Sequence, residues 1–242
     1  MLIFIFGLII GSFLGVVIDR LPRGESIATG RSKCNTCERN LTPLELIPVL
    51  SFLFQGGKCR KCQTKLSLFY PGIELLTGLT FYMTYQVFET SLDMVIAIIF
   101  TSILIIISFI DIQTKIIYDR FQIAIFILAI ISAITEGKNP INLIIGSLII
   151  SIPLLIIALI TQGMGGGDIK LMFVSGAYLG FPNILVAFII ASISGGIYGI
   201  YSLITQKHNR KSEVPFGPFL ALGLFIALLY GNRLIEWYLS FV

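Results

Sequence analysis

Long stretches without a single charged residue constrain this chain more than any other feature. They cover residues 1–18, 94–110, 139–167, 171–206 and 214–232. Each approaches or exceeds the roughly 17 to 25 residues that a helix needs to cross hydrocarbon. Two shorter runs, 75–88 and 121–135, cross only if their flanks contribute. The run 171–206 is too long for one helix and is punctuated at Gly180, Phe181, Pro182 and Asn183, so it divides into two. The expected spans are then eight, at about 2–18, 71–88, 93–110, 116–134, 141–162, 169–181, 183–204 and 215–232. With 56% hydrophobic and 12% charged residues, the chain lacks the polar surface of a soluble globule. The fold class expected is an all-α polytopic membrane protein.

Basic residues orient it, because cytosolic loops hold an excess of Lys and Arg. With the amino terminus outside, fifteen of the 17 basic residues fall on the cytosolic side, nine of them between Arg20 and Lys65. The rest are Lys115, Arg120, Lys170, Lys207, Arg210 and Lys211, leaving only Lys138 and Arg233 outside. Both termini should therefore face away from the cytosol. The first span has no basic region before it and no small-residue cleavage site after it, so it is expected to persist rather than act as a removable signal. The domains expected are a first transmembrane helix (1–19), a cytosolic cysteine-rich insertion (20–70) and a transmembrane core (71–242).

All four cysteines lie in the insertion, as Cys34, Cys37, Cys59 and Cys62, two C-x2-C pairs separated by twenty-one residues. Two residues between cysteines let a tight turn aim both sulfurs at one ion, and two such turns complete a tetrahedral thiolate site for zinc. Lys33, Arg60 and Lys61 stand ready to offset its negative charge. A four-cysteine site leaves no open position for water, so zinc here would be structural, folding a segment too small for its own core. Disulfides or redox cysteines are the alternative, disfavoured by a reducing cytosol. The apolar run Leu44, Leu46, Ile47, Val49, Leu50, Phe52, Leu53 and Phe54 either lies along the membrane face or packs under the zinc knuckle.

Ionisable residues at membrane level are expensive and are functional candidates by default. Asp111 ends a long uncharged helix, and Asp168 follows Gly163, Met164, Gly165, Gly166 and Gly167. The glycines are expected to allow positive φ and close approach of an extended peptide. Two carboxylates brought together cannot both ionise, so one holds a proton while the other acts as base on a shared water, a metal-free route to peptide hydrolysis. The plain alternative is that each aspartate ends its span, paired with Lys115 or Lys170; Asp19 and Asp119, beside Arg20 and Arg120, keep that reading. The lone histidine, His208, sits in a polar loop and supports no Ser-His or Cys-His mechanism. No nucleotide fingerprint occurs, and no nucleic-acid partner is expected. Rival classes are an ion-coupled transporter using the inner-face aspartates and a thiol oxidoreductase using the cysteines.

Taken in order, the chain holds Gly11-Ser12-Phe13-Leu14 with Arg20-Leu21-Pro22, the two cysteine pairs, Glu45-Leu46-Ile47-Pro48, and Tyr70-Pro71 with Glu74. Asp111, the stretch 163–170 and Pro215-Phe216-Gly217-Pro218-Phe219 follow. This set resembles the bacterial type IV prepilin peptidases over nearly the whole chain. A lone Gly-x-Gly-Asp also marks presenilin-like and signal-peptide-peptidase-like proteases, but the ordered set is specific. The resemblance implies catalytic aspartates at Asp111 and Asp168, an active-site loop with Gly165, Gly166, Gly167 and Lys170, and prepilin or pseudopilin substrates met at the inner face of the bacterial cytoplasmic membrane. It also implies methyl transfer from S-adenosylmethionine to the new amino terminus. Two positions depart from the family pattern: Gly15 stands where asparagine is usual, and Tyr118 stands where proline precedes the aspartate at 119.

Overall fold

The computed structural model describes residues 1–34, 36–161, 163–205 and 214–241. His208, Lys207, Arg210 and Lys211 lie outside the described residues. Among those described the chain is helical, with no strand and only the isolated bridges Lys33–Asn40 and Lys58–Lys65. It divides into two compact units, Met1–Met94 and Val95–Val242.

The first unit contains α1 (Leu2–Arg20), the insertion with the short helix α2 (Leu50–Phe54), and α3 (Phe69–Phe88). Helix α4 (Leu92–Thr114) leads into the second unit, followed by α5 (Asp119–Thr135), α6 (Pro140–Thr161), α7 (Gly166–Leu179), α8 (Asn183–Ile204) and α9 (Gly217–Leu239). A helix therefore stands at each expected span. Five of them, α1, α4, α6, α8 and α9, are long and apolar enough to cross a membrane by length and composition. Helices α5 and α7 have 17 and 14 residues, at or below the length of a full crossing. Helix α9 continues past the expected end at 232 through Arg233 and Glu236, because charge ends the apolar run without ending the helical hydrogen-bond ladder.

Packing rests on small residues. Gly7, Gly11 and Gly15 repeat every fourth position along one face of α1, the spacing that lets helix backbones approach in lipid. A Cβ on Gly7 would come within 2.7 Å of the Gly78 Cα of α3, and one on Gly11 within 2.7 Å of the Glu74 Cα. Gly15 abuts the Tyr70 ring, where its own Cβ would stand 3.2 Å away. The departure from asparagine there thus gives the ring its seat.

In the second unit, a Cβ on Gly176 of α7 would fall 2.2 Å from the Gly146 carbonyl oxygen of α6. One on Gly223 of α9 would fall 2.1 Å from the Ala187 carbonyl oxygen of α8. Around these contacts gathers an apolar core that includes Phe100 and Ile107 of α4, Leu171 and Met172 of α7, and Leu220 and Leu224 of α9. The turn from α7 to α8 falls at the expected punctuation: Gly180 has φ 71°, and the Phe181 N–H donates to Asn142 Oδ1 of α6 at 2.8 Å.

Because Gly176 meets backbone, which cannot rotate aside, Gly176→Val is expected to cost about 3 kcal/mol of stability. Denaturant unfolding in mixed micelles, compared with wild type, measures it.

Candidate active site and metal centre

Asp111 occupies the last turns of α4 with its side chain only 5% exposed. The first turn of a helix carries N–H groups without intrahelical partners and the positive end of the helix dipole. Helix α9 presents that end to Asp111: the Gly217 N–H donates to Oδ2 at 2.9 Å. A Cβ at 217 would lie 2.7 Å from the same oxygen, so any residue but glycine pushes the carboxyl aside. Asp168 sits in the first turn of α7, where the same dipole favours a carboxylate. It is close enough to Asp111 for the two charges to act on each other. Fifty-seven positions apart in sequence, the two carboxylates come within electrostatic reach of each other, each at a helix N-terminus.

The glycine loop differs from expectation. None of Gly165, Gly166 or Gly167 adopts positive φ. Gly165 has φ −70° and ψ 136° as the N-cap of α7, and Gly166 and Gly167 are already helical. The helix begins before the aspartate, so the loop needs no left-handed residue. What Gly167 supplies is room, because a Cβ there would stand 3.0 Å from Ile117 Cβ. Its carbonyl accepts from Gln122 Nε2 at 3.2 Å. Gln122, buried in α5, thereby ties the start of α5 to the loop before Asp168. As an amide inside an otherwise apolar run it carried a signal, and sequence reasoning passed over it.

Lys170 reaches Asp119 at 2.8 Å, both side chains being exposed. Such surface pairs contribute little, about 0–1 kcal/mol. Asp19 pairs with Arg23 at 2.8 Å rather than with its neighbour Arg20, whose guanidinium instead donates to the Ser26, Thr29 and Arg31 carbonyls. Tyr118, at φ −72° and ψ 132°, has a conformation that proline also adopts, so its replacement of proline leaves the α5 entry intact.

In the insertion the two C-x2-C segments fold as matching knuckles. The Glu38 N–H returns to the Cys34 carbonyl and the Gln63 N–H to the Cys59 carbonyl, each at 2.9 Å. Both knuckles turn on a residue of positive φ, 51° at Glu38 and 57° at Gln63. The four sulfurs lie within 4.8 Å of one another, with Cys34–Cys62 at 3.8 Å and Cys37–Cys59 at 4.0 Å. No disulfide joins them. A tetrahedron of roughly 2.3 Å metal–sulfur bonds has edges of about 3.8 Å, close to these two separations, so the cluster could hold a metal ion.

The N–H groups of Cys62 and Lys61 point at Cys59 and draw its thiol down to about 6. The Arg39 N–H favours the Cys37 thiolate, yet burial and the three neighbouring sulfurs push that thiol up to about 11. Arg39 brings a cation to the sulfurs, its Nη2 3.9 Å from Cys59 Sγ. Arg39 also forks onto buried Glu45, Nη1 to Oε2 at 3.0 Å. That guanidinium, then the Thr42 N–H, hold the Glu45 carboxyl down at about 2. Leu44, Leu46, Ile47, Leu50, Leu53 and Phe54 are exposed. Val49 and Phe52 of the same run are half-buried, and a Cβ on Gly57 would stand 3.0 Å from the Phe52 ring.

Two electrostatically coupled acids among membrane-length helices and a four-cysteine insert able to hold a metal ion define a polytopic helical membrane protein. Comparison with known proteins narrows this class. The bacterial peptidase A24 N-terminal domain matches residues 5–88, and the type IV leader peptidase family matches residues 98–200. A prepilin leader peptidase/N-methyltransferase of Bacillus subtilis (strain 168) is 40% identical over 244 residues, covering 99% of this chain and 97% of the relative. A protein of the same description from Aeromonas salmonicida (strain A449) is 32% identical, covering 99% and 93%. One from Legionella pneumophila is 28% identical, covering 98% and 93%. No solved structure matches the chain. The chain belongs to the type IV leader peptidase family, and nothing in the fold or the relatives favours a transporter.

The cluster geometry predicts one tightly held divalent metal per purified chain. Elemental analysis should find it, and Cys59→Ser should remove most of it while lowering the protein's resistance to proteolysis within 24–67.

Proposed function

We propose that this chain is a membrane endopeptidase that removes the leader of prepilins or pseudopilins, with Asp111 and Asp168 as its catalytic acids. The observation that carries the reading is the mutual approach of these two carboxylates at the N-terminal ends of α9 and α7. Two acids so placed share one proton. The ionised one takes a proton from water as the water oxygen attacks the scissile carbonyl carbon. The protonated one donates to the carbonyl oxygen, and the departing nitrogen collects a proton as the tetrahedral intermediate collapses. The Gly217 N–H fixes the Asp111 carboxylate, so its free oxygen keeps one orientation throughout.

The rest of the reading follows from the chain's charge and its relatives. The active site faces the cytosol, with both termini outside, as the basic residues dictate. The cysteine cluster holds zinc in a structural role, since its four thiolates fill a tetrahedron. The relatives' shared description as N-methyltransferases supports a second activity, methylation of the new amino terminus with S-adenosylmethionine as donor.

Asp111→Asn and Asp168→Asn should each slow leader removal by about 10²–10⁴-fold, read by intact mass of a prepilin substrate incubated with purified enzyme in lipid. Full processing by either variant in a folded protein would overturn the assignment. Gly217→Ala should leave the fold in place but lower the cleavage rate at least about tenfold, because its Cβ forces the Asp111 carboxylate aside. Single-turnover cleavage alongside an unfolding curve separates the two effects.

A further inference from the structure

Several motif residues of the amino-terminal half have no role assigned so far: Ser12, Tyr70, Pro71 and Glu74 all belong to the first unit, whereas Asp111 and Asp168 belong to the second. They converge on a cavity of about 570 Å³ between the C-terminal end of α1, the N-terminal end of α3 and the insertion. That volume suits a ligand of a few tens of atoms. Ser12, Val16 and Asp19 recur along one face of α1 and line it from one side. Tyr70 and Glu74 line it from α3.

The chemistry of the lining is specific. Glu74 is 7% exposed, and a carboxylate withdrawn from water is costly unless it is hydrogen-bonded or meets a cation. It accepts from the Val49 N–H at 2.7 Å and from the Ser12 hydroxyl, which fix its direction and leave lone pairs unused. Asp19 stands beside the Tyr70 hydroxyl. The cavity therefore offers one buried carboxylate, Glu74, with the Tyr70 ring alongside, and at its edge the partly exposed Asp19, which also pairs with Arg23. The buried carboxylate and the ring attract a compact cation. At the insertion side the lining turns basic, with Arg23, Arg31 and Lys33, and carries a second ring in Phe52. A ligand that fits has a central cation, a flat aromatic part and a carboxylate.

We infer that this cavity binds the methyl donor, a sulfonium nucleoside of the S-adenosylmethionine type, with Glu74 and Asp19 facing the sulfonium. The inference rests on the methyl-transfer reading above and gives it a place in the fold. In the transfer, the lone pair of a neutral amine forms a bond to the methyl carbon as the carbon–sulfur bond breaks. That electron pair returns to sulfur, leaving a neutral thioether, and the ammonium product gives its extra proton to water. Loss of positive charge on sulfur weakens its attraction to the carboxylates, so the spent donor leaves more readily than the fresh one binds.

The test uses the full-length protein in lipid nanodiscs and radiolabelled S-adenosylmethionine. Equilibrium dialysis should show saturable binding at one site per chain, weakened at least about tenfold in Glu74→Gln and in Asp19→Asn. Metal content and the unfolding transition check that both variants are folded. Ultraviolet photolabelling of wild type, which needs no variant, should place the label in peptides from residues 12–74. Label confined to 95–242, or undiminished binding in both variants, overturns the cavity assignment while leaving methyl transfer standing. A wild-type protein that cleaves a prepilin but neither binds the donor nor methylates the product overturns both.

Discussion

In lipid, apolar side chains gain nothing by leaving one hydrocarbon surface for another, so helices associate where their backbones come into direct contact. Gly7 and Gly11 against α3, Gly146 against Gly176, and Gly223 against Ala187 are contacts of this kind. Everything chemical in the chain depends on them. The α6–α7 contact sets the height of α7 and hence of Asp168 at its start. The α8–α9 contact sets α9, whose first N–H holds Asp111. The α1–α3 contact brings Ser12 and Glu74 to a common wall.

The carboxylate pair shows how little polar machinery a membrane site needs. One backbone donor, two helix N-termini and the absence of side chains at Gly167 and Gly217 organise it. By contrast, the insertion is dense in polar interaction: Glu45 gathers Arg39, Thr42 and Arg60, and Arg39 in turn approaches a sulfur. The difference reflects what holds each part. The membrane-length helices have backbone contact, while the insertion has too little apolar core and relies on the cysteine cluster and buried charge.

Much of this was legible in the residues. Uncharged runs located the helices, to the residue for α8, because length and apolarity are local properties. The cysteine spacing located the cluster, because a knuckle is a local turn repeated. Less legible was anything that depends on which helix meets which. The glycines before Asp168 suggested left-handed backbone, yet they serve as space beside Ile117 and as the start of a helix. Lys170 lay next to the loop in sequence but turns to Asp119. Arg39 and Gln122 are ordinary residues until the fold brings Glu45 and Gly167 to them, and Gly217, though part of the motif at 215–219, has no role until Asp111 meets it. No periodicity encodes such meetings.

The bond from Gly217 to Asp111 has a consequence for how this site can drift over generations. A side-chain donor is lost by any of many single-base changes, and a neighbour can later replace it. A main-chain donor survives every substitution except proline, so the genetic vulnerability moves from the donor's identity to its size. What selection must guard at this position is an empty volume, and because the crowding would fall on the reactive acid itself, no second mutation elsewhere restores it without displacing the acid. Such a position is expected to stay fixed alone rather than vary in step with a partner.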